Sequence, residues 1–524
     1  MATNLKEHQV LWVDDEIEML SAHIAFLKEK GVAITPCSSG DEAIDQINSQ
    51  EFDLVLLDEM MPGKDGLATL VEIKDIKPHL PVVMVTKSEE ETLMEEAIGQ
   101  KIDDYLTKPV NPSQVLMAIK KLVQSKKIVT SKLGRRYISD INRMNMTLNG
   151  PVEWTDWVDA YRMLCEWDLE MDKYPDEGLL ETHKGTHREW SNQFSRYYEK
   201  NYERWVTSKP GKRPPLSVDV FDRVVIPRLK NKEQIVFIII DCMRMDLWLK
   251  IELLLADLFN IEHDYFFSIL PSATPFSRNA MFAGKFPKDI AELYPDDWKA
   301  YPDDEVSRNR REGELMDRQL AEKSVKLDNG SKYIKVLRAQ ETENLTSRVE
   351  NMLSSQMIAL VINFVDLLTH GRSSNVLLKE IVPNEAAFRD LMLTWFEHST
   401  LYETLKMLAR KKATVVITTD HGSTLCTRGT MAHGKRDTST NLRYKYGDSL
   451  NCSPKEALLI KNPDRYRLPS FTLSTTYIIA REDFYFVYPN KYNEYQRQFN
   501  NSFQHGGISM SEVILPSAIL TPKG

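Results

Sequence analysis

Cysteine is scarce in this chain. Its 524 residues hold five, Cys37, Cys165, Cys242, Cys426 and Cys452, an odd number with no CxxC pair. That pattern excludes a disulfide framework and points to a reducing compartment. Long apolar runs are missing as well. None approaches the roughly 20 residues that cross a bilayer, so membrane insertion is not expected. The polar opening MATNLKEHQ leads straight into a short strand, and no signal peptide is expected. Positive charge is not in excess: lysine and arginine total 67 against 76 acids, a net charge of −9, which gives no support to non-specific nucleic-acid binding. No helix-turn-helix with a basic recognition helix, no zinc finger and no internal repeat is found, so direct DNA reading is unsupported. What remains is a cytoplasmic chain too long for one ordinary core, with about two to four domains expected.

The most informative stretch is IVFIIIDCMRMD, residues 235–246. A short apolar run ending in Asp241 predicts a strand buried on both faces. A carboxylate at the carboxyl end of such a strand stands where open α/β folds place their ligands.

The first 125 residues alternate strand and helix patterns. VLWV 10–13, AITPC 33–37, LVLL 54–57, VVMV 82–85 and DYL 104–106 predict strands. Amphipathic segments such as that carrying Ile17, Leu20, Ile24 and Leu27 lie between them. Five β units alternating with five α units predict a parallel, doubly wound, flavodoxin-like sheet. Asp14 and Asp15 follow the first strand, Asp58 the third, Thr86 the fourth and Lys108 the fifth, so they meet at one edge. Clustered carboxylates repel one another, and a hard divalent cation relieves that repulsion. Lys108 adds a point charge suited to a phosphoryl oxygen.

With VDDE, LLDEMMPGKDG, VVMVTKS and YLTKP, this segment resembles the receiver domain of bacterial response regulators. The resemblance implies that Asp58 is the phosphoacceptor. It implies that Asp15, Asp58 and the Met60 carbonyl ligate Mg²⁺, with Asp14 acting through water. Thr86 and Lys108 would contact the phosphoryl group, and Tyr105 would be the switch aromatic.

Residues 126–217 read as a helical bundle linker domain. Lys120, Lys121, Lys126, Lys127, Lys132, Arg135 and Arg136 could form a nucleic-acid arm, but interrupting polar and apolar residues favour solvated helix faces. Trp154, Trp157, Tyr161, Trp190, Phe194, Tyr197 and Tyr198 recur at helical spacing and predict the core of a small bundle. His183 and His187 have a metal-like spacing, but Gly185 lies between them and a structural or surface role is preferred. TSKPGKRPPLS 207–217 marks a break.

In residues 218–524 five pieces accompany Asp241: Thr274 in SATPFSRNAM, Asp366 and His370 after MIALVINFV, Asp420 and His421 after ATVVITT, and His505 in HGGISMSEV. Three carboxylates and three imidazoles suit zinc. They divide into Asp241, Thr274, Asp420 and His421 for one ion, and Asp366, His370 and His505 for the other. Two metals about 4 Å apart can clamp an in-line displacement, with the threonine hydroxyl as nucleophile and a phosphothreonine intermediate. Individually these residues also have structural readings: a local Asp366–His370 pair, a helix cap at Thr274, a turn at His505. His263 and His398 are read as structural. His433, with Lys435 and Arg436, either faces an anionic substrate or lies in a charged loop. Arg244 and Arg278 are candidates for binding nonbridging oxygens. The charged region 288–345 is read as an insertion at the rim of the metal site.

This ligand series resembles the PglZ-type branch of the alkaline phosphatase superfamily, an α/β fold. The full arrangement resembles response regulators associated with type IX secretion in Bacteroidetes. The resemblance implies a sensor histidine kinase, a homodimer on phosphorylation, phosphodiesterase action on an oligonucleotide or cyclic oligonucleotide, and contact with type IX secretion or sigma-factor components. Two other readings stay open: a zinc-stabilised scaffold that binds such partners with little turnover, and a phosphomonoesterase.

Overall fold

The protein is described from a computed structural model that covers residues 8–78, 80–87, 102–298, 308–337, 341, 343–434, 441–488 and 492–523. It divides into two units, Met1–Arg143 with Lys173–Asp176, and Met144–Asp172 with Glu177–Gly524.

The first unit contains the alternation that its sequence predicts. Strands β1 (His8–Val13), β2 (Val32–Cys37), β3 (Leu54–Asp58), β4 (Val82–Thr86) and β5 (Asp104–Thr107) form one parallel sheet in the order β2-β1-β3-β4-β5. Side chains alternate across it. Leu11, Val13, Val55 and Leu57 enter one core, while Val10, Trp12, Leu54 and Leu56 enter the other, and both faces are dry because helices cover both. Helices α1 (Ser21–Glu29), α2 (Gly40–Ser49) and α3 (Gly66–Ile76) follow β1, β2 and β3. Ser39 and Asp65 cap α2 and α3 by accepting from backbone amides. Residues 88–101, where the alternation predicts a further helix, lie outside the described residues. Helix α4 (Pro112–Leu148) carries Lys120, Lys121, Lys132, Arg135 and Arg136 exposed, as solvated faces. The side chains of Lys126 and Lys127 lie outside the described residues.

In the second unit, α5 (Trp154–Lys173) and α6 (Glu177–Thr207) hold the aromatic stripe. They are followed by β6 (Ile235–Ile240), α7 (Met245–Leu255), β7 (Phe259–Phe267), α8 (Thr274–Ala283), α9 (Glu312–Glu322), β8 (Ser331–Val336), β9 (Met357–Ile362), α10 (Phe364–Ser374), α11 (Glu385–Glu397), β10 (Thr414–Thr418) and β11 (Ile514–Pro522). The main sheet has the order β7-β11-β10-β6-β9-β8. Strands β8, β9, β6 and β10 run parallel, and β11 is antiparallel to both of its neighbours. Every residue of β6 and β9 is buried, as expected of central strands between two layers of helix.

One expectation is extended and another corrected. The aromatic residues pack α5 on α6, with Trp157 5.5 Å from Phe194 and 5.8 Å from Tyr197, and they also reach the sheet. Trp154, Phe194, Tyr198 and Trp205 set their rings 5.7 to 6.0 Å from Phe267 at the end of β7. Since β7 is an edge strand, the linker helices bury their aromatic face by covering it. The 288–345 region is not wholly an insertion. Its SKYIKV segment is β8, the opposite edge of the main sheet, with Ile334 and Val336 alternating inward beneath a charged outer face. Charge on one face hides such a strand from a reading by composition.

Candidate functional site

Topology explains why residues far apart in sequence meet. Strands β6, β9 and β10 are parallel, so Asp241, the start of α10 and the Asp420–His421 pair leave the sheet at one edge. Strand β7 runs the same way, because it and β10 both oppose β11, and it delivers the loop leading to Thr274. The chain enters β11 from that edge too, and His505 lies on its approach.

Local conformation aims these groups. After Asp241, Cys242 takes φ 66°, a left-handed turn that costs a non-glycine residue on the order of 1 kcal/mol or more. The Met243 amide donates to Thr419 Oγ1 (3.0 Å), and the Thr419 hydroxyl donates to the His421 carbonyl (2.7 Å), stitching two strand ends together. A Cβ on Gly422 would stand 1.9 Å from the Ser511 carbonyl oxygen, so only glycine allows this close approach. His421 Nδ1 lies 3.0 Å from the Gly422 carbonyl. Donation there leaves Nε2 as the free lone pair, facing Thr274 Oγ1 at 2.9 Å and Asp241 Oδ1 at 3.5 Å. Thr274 opens α8, with Pro275 at a position that needs no amide donor.

Asp366 and His370 lie one turn apart on α10. Asp366 Oδ1 is 3.4 Å from both His370 Nε2 and His505 Nε2, and those two nitrogens are 2.9 Å apart. All seven predicted residues are therefore brought together in two groups. Ligand atoms within Asp241, Asp420 and His421, and within Asp366, His370 and His505, lie within 4.8 Å of one another.

The electrostatics fit cations. Asp241 Oδ1, Asp420 Oδ2, Asp366 Oδ1 and His505 Nδ1 are buried without a hydrogen-bond partner, a costly state that metal ligation of the oxygens relieves. Burial and the neighbouring Asp241 charge push the Asp420 carboxyl up. Burial opposes the charge on His421, but Asp420 and Asp241 outweigh it and raise its pKa. Burial holds His505 well below the usual imidazole range. For Asp366, burial is outweighed by His370, which lowers the carboxyl.

Arg278 is fully buried, donates to Asp241 and pairs with Glu312 (2.6 Å). Lys335 stands 3.1 Å from the same glutamate. Arg244, expected to face substrate oxygens, is instead locked to Asp246 and Glu385 (2.8 Å). Its Nε, Nη1 and Nη2 each donate to one of those two carboxylates, and this corrects the expectation.

His263 pairs with Glu252 at 2.7 Å, and His398 is an exposed residue at the end of α11. His433 is exposed at the end of a strand, and Lys435 and Arg436 lie outside the described residues.

Helix α6 braces the site. Tyr202 Oη accepts from the Leu270 amide (2.8 Å), Tyr198 donates to the Ser268 carbonyl, and Ser195 donates to the Ile508 carbonyl (2.9 Å). Glu312, Ser195 and Tyr202 were not singled out in the sequence, and Tyr198 was read there only as part of the aromatic stripe.

In the first unit, Asp14, Asp15 and Asp58 offer ligand oxygens within 4.8 Å of one another, a set that fits Mg²⁺. Lys108 Nζ stands 2.9 Å from both Asp14 and Asp58. Burial raises the Asp58 pKa despite Lys108, and the two carboxylates raise that of Lys108 despite burial. Thr86 donates to Glu59, Tyr105 is half exposed and Met60 is exposed.

Residues 220–520 match the family described as the BREX system PglZ alkaline phosphatase-like domain, which is more than half of the chain. The chain belongs to the PglZ alkaline phosphatase-like family. Residues 10–120 match the response regulator receiver domain and residues 127–206 the PorX response regulator linker domain, so the order of parts is that of a PorX-type regulator. Its fold is accordingly a flavodoxin-like receiver, a helical linker and an alkaline-phosphatase-like α/β domain.

Among curated relatives, the transcriptional regulatory protein ResD of Bacillus subtilis is 35% identical over 118 residues, covering 22% of this chain and 49% of ResD. ZraR of Escherichia coli K12 is 38% identical over 102 residues, covering 20% of this chain and 23% of ZraR. The chain thus spans about half or less of those relatives. Among solved structures, the receiver domain of the Francisella response regulator 1452 is 26% identical, with a TM-score of 0.22, covering 23% of this chain and 98% of that one.

Proposed function

We propose that this PglZ-family regulator is phosphorylated on Asp58 by a sensor histidine kinase and carries a dizinc phosphodiesterase as its effector. Oligonucleotides or cyclic oligonucleotides are its substrates. It acts in the cytoplasm in the regulation of type IX secretion and dimerises on phosphorylation. The division into residues 1–125, 126–217 and 218–524 follows these roles.

One observation carries the reading: the Thr274 hydroxyl stands 2.9 Å from His421 Nε2, beside buried carboxylate oxygens that no hydrogen bond satisfies. Zinc ions held by Asp241, Thr274, Asp420 and His421, and by Asp366, His370 and His505, would supply Lewis-acid charge and lower the pKa of the hydroxyl. Thr274 Oγ forms a bond to phosphorus as the bond to the leaving alkoxide breaks, and the alkoxide takes up a proton. Water then attacks phosphorus, the bond to Thr274 Oγ breaks, the phosphomonoester leaves, and Oγ takes up the proton that the water gives up. Arg278 orients Asp241 from behind.

In the receiver, Mg²⁺ held by Asp15, Asp58 and the Met60 carbonyl, with Asp14 through water, would offset the charge of the incoming phosphoryl group. Lys108 and Thr86 then face that group, and Tyr105 responds to it.

The test is hydrolysis of bis-p-nitrophenyl phosphate with zinc. Thr274→Val should lose kcat by on the order of 10³-fold or more, and equal rates would remove Thr274 from the mechanism. Comparison with p-nitrophenyl phosphate separates diesterase from monoesterase action.

A further inference from the structure

Outside both sites, the described residues contain one other cluster of metal-ligating side chains: Asp168 on α5 with His183 and His187 on α6, their ligand atoms within 4.8 Å of one another. His183 Nε2 lies 3.0 Å from Asp168 Oδ1, and His187 Nε2 lies 3.3 Å from Asp168 Oδ2. The imidazole centroids are 4.6 Å apart. These spacings are slightly shorter than those at the effector, where His370 and His505 each stand 3.4 Å from Asp366. A tetrahedral ion with ligands at roughly 2.0–2.2 Å requires ligand atoms a little over 3 Å apart. His187 Nε2 is buried without a hydrogen-bond partner, so its distance to Asp168 does not reflect a formed hydrogen bond.

The surrounding charge asks for a cation. Arg389 is bound by Asp172 (2.7 Å) and Asp246 (3.1 Å), and Arg244 by Asp246 and Glu385. The acids are Asp168, Asp172, Asp246 and Glu385, and the guanidinium groups are those of Arg244 and Arg389. That leaves two negative charges beside two imidazoles, in a region where Asp246, Arg244, Arg389 and His183 are buried. A divalent ion supplies the missing charge while the imidazoles remain neutral.

We propose that Asp168, His183 and His187 form a structural zinc site that clips α5 to α6 and is separate from the effector's metals. The i, i+4 spacing puts both histidines on one face of α6, and Gly185 between them tolerates this because the helix is held by tertiary packing.

The test is elemental analysis of full-length protein stripped with chelator and reloaded with Zn²⁺. Wild type should hold about one zinc per chain more than His187→Ala treated alike. This difference does not depend on how many ions the effector holds, so it fails separately from the phosphodiesterase reading. Equal zinc contents overturn the proposal. Should the variant not fold, wild-type crystals soaked in ZnCl₂ decide: anomalous density among the three side chains supports the site, and its absence there overturns it whatever the effector contains.

Discussion

The chemistry proposed at Thr274 would rest on buried neighbours as well as on the ligand set. Arg278 is the clearest of these, because it links Asp241 to Glu312 in a dry interior. Arg278→Gln leaves both carboxylates short of positive charge, and breaking a buried ion pair from one side costs about 3–5 kcal/mol. Urea unfolding of the stripped variant should show that loss, and zinc should restore part of it by meeting the charge of Asp241. A variant as stable as wild type without metal would mean that Arg278 is dispensable. Asp58 makes a parallel case in the receiver. Lys108 holds it within 2.9 Å of a positive charge, beside two further carboxylates. Acetyl phosphate with Mg²⁺ should add one phosphoryl mass to wild type and none to Asp58→Asn. Unmodified wild type in that assay would defeat the assignment.

At the scale of elements, α6 holds both the loop before Thr274 and the segment after His505. Tyr202→Phe deletes only the oxygen that satisfies the buried Leu270 amide. Leaving that donor unpaired should cost about 1–3 kcal/mol. The loop that positions Thr274 should loosen with it, lowering kcat for bis-p-nitrophenyl phosphate more than it changes KM. Wild-type melting and wild-type kcat together would free α6 from this role. Such bracing was not legible in the sequence, whereas the site itself largely was. Asp241, Asp420 and the receiver acids each end a strand, and a strand end has a local signature: an apolar run that stops in charge. What escaped is carried by pairing across distance. Glu312 looks like any charged helix residue until β8 brings Lys335 beside it. Nothing local reveals that Phe267 will collect the aromatic faces of α5 and α6. Arg244 misled for the same reason, since Glu385, which fixes it, lies 141 positions away.

Across the whole molecule, the titrating groups of the effector predict opposite pH responses with and without metal. A group whose pKa rises on folding keeps its proton longer in the folded chain, so stability falls as pH rises through the folded value. Asp420 and His421 are both raised, and His187 in the linker adds to them in the same sense. His505 and His183 are lowered and act in the other direction, but only below about 6.5, where unfolded histidine still binds a proton. Between about pH 6.5 and 8, below the ordinary range of thiols, the raised groups alone remain in play. Chelator-stripped protein should therefore melt at lower temperature as pH rises through this window. Zinc-loaded protein should melt higher, because the metal displaces those same protons and competes better as they become scarce. Thermal melts of both forms across the window decide the matter, and a stripped chain that gains stability with rising pH would show that Asp420 and His421 do not hold their protons as the raised directions require.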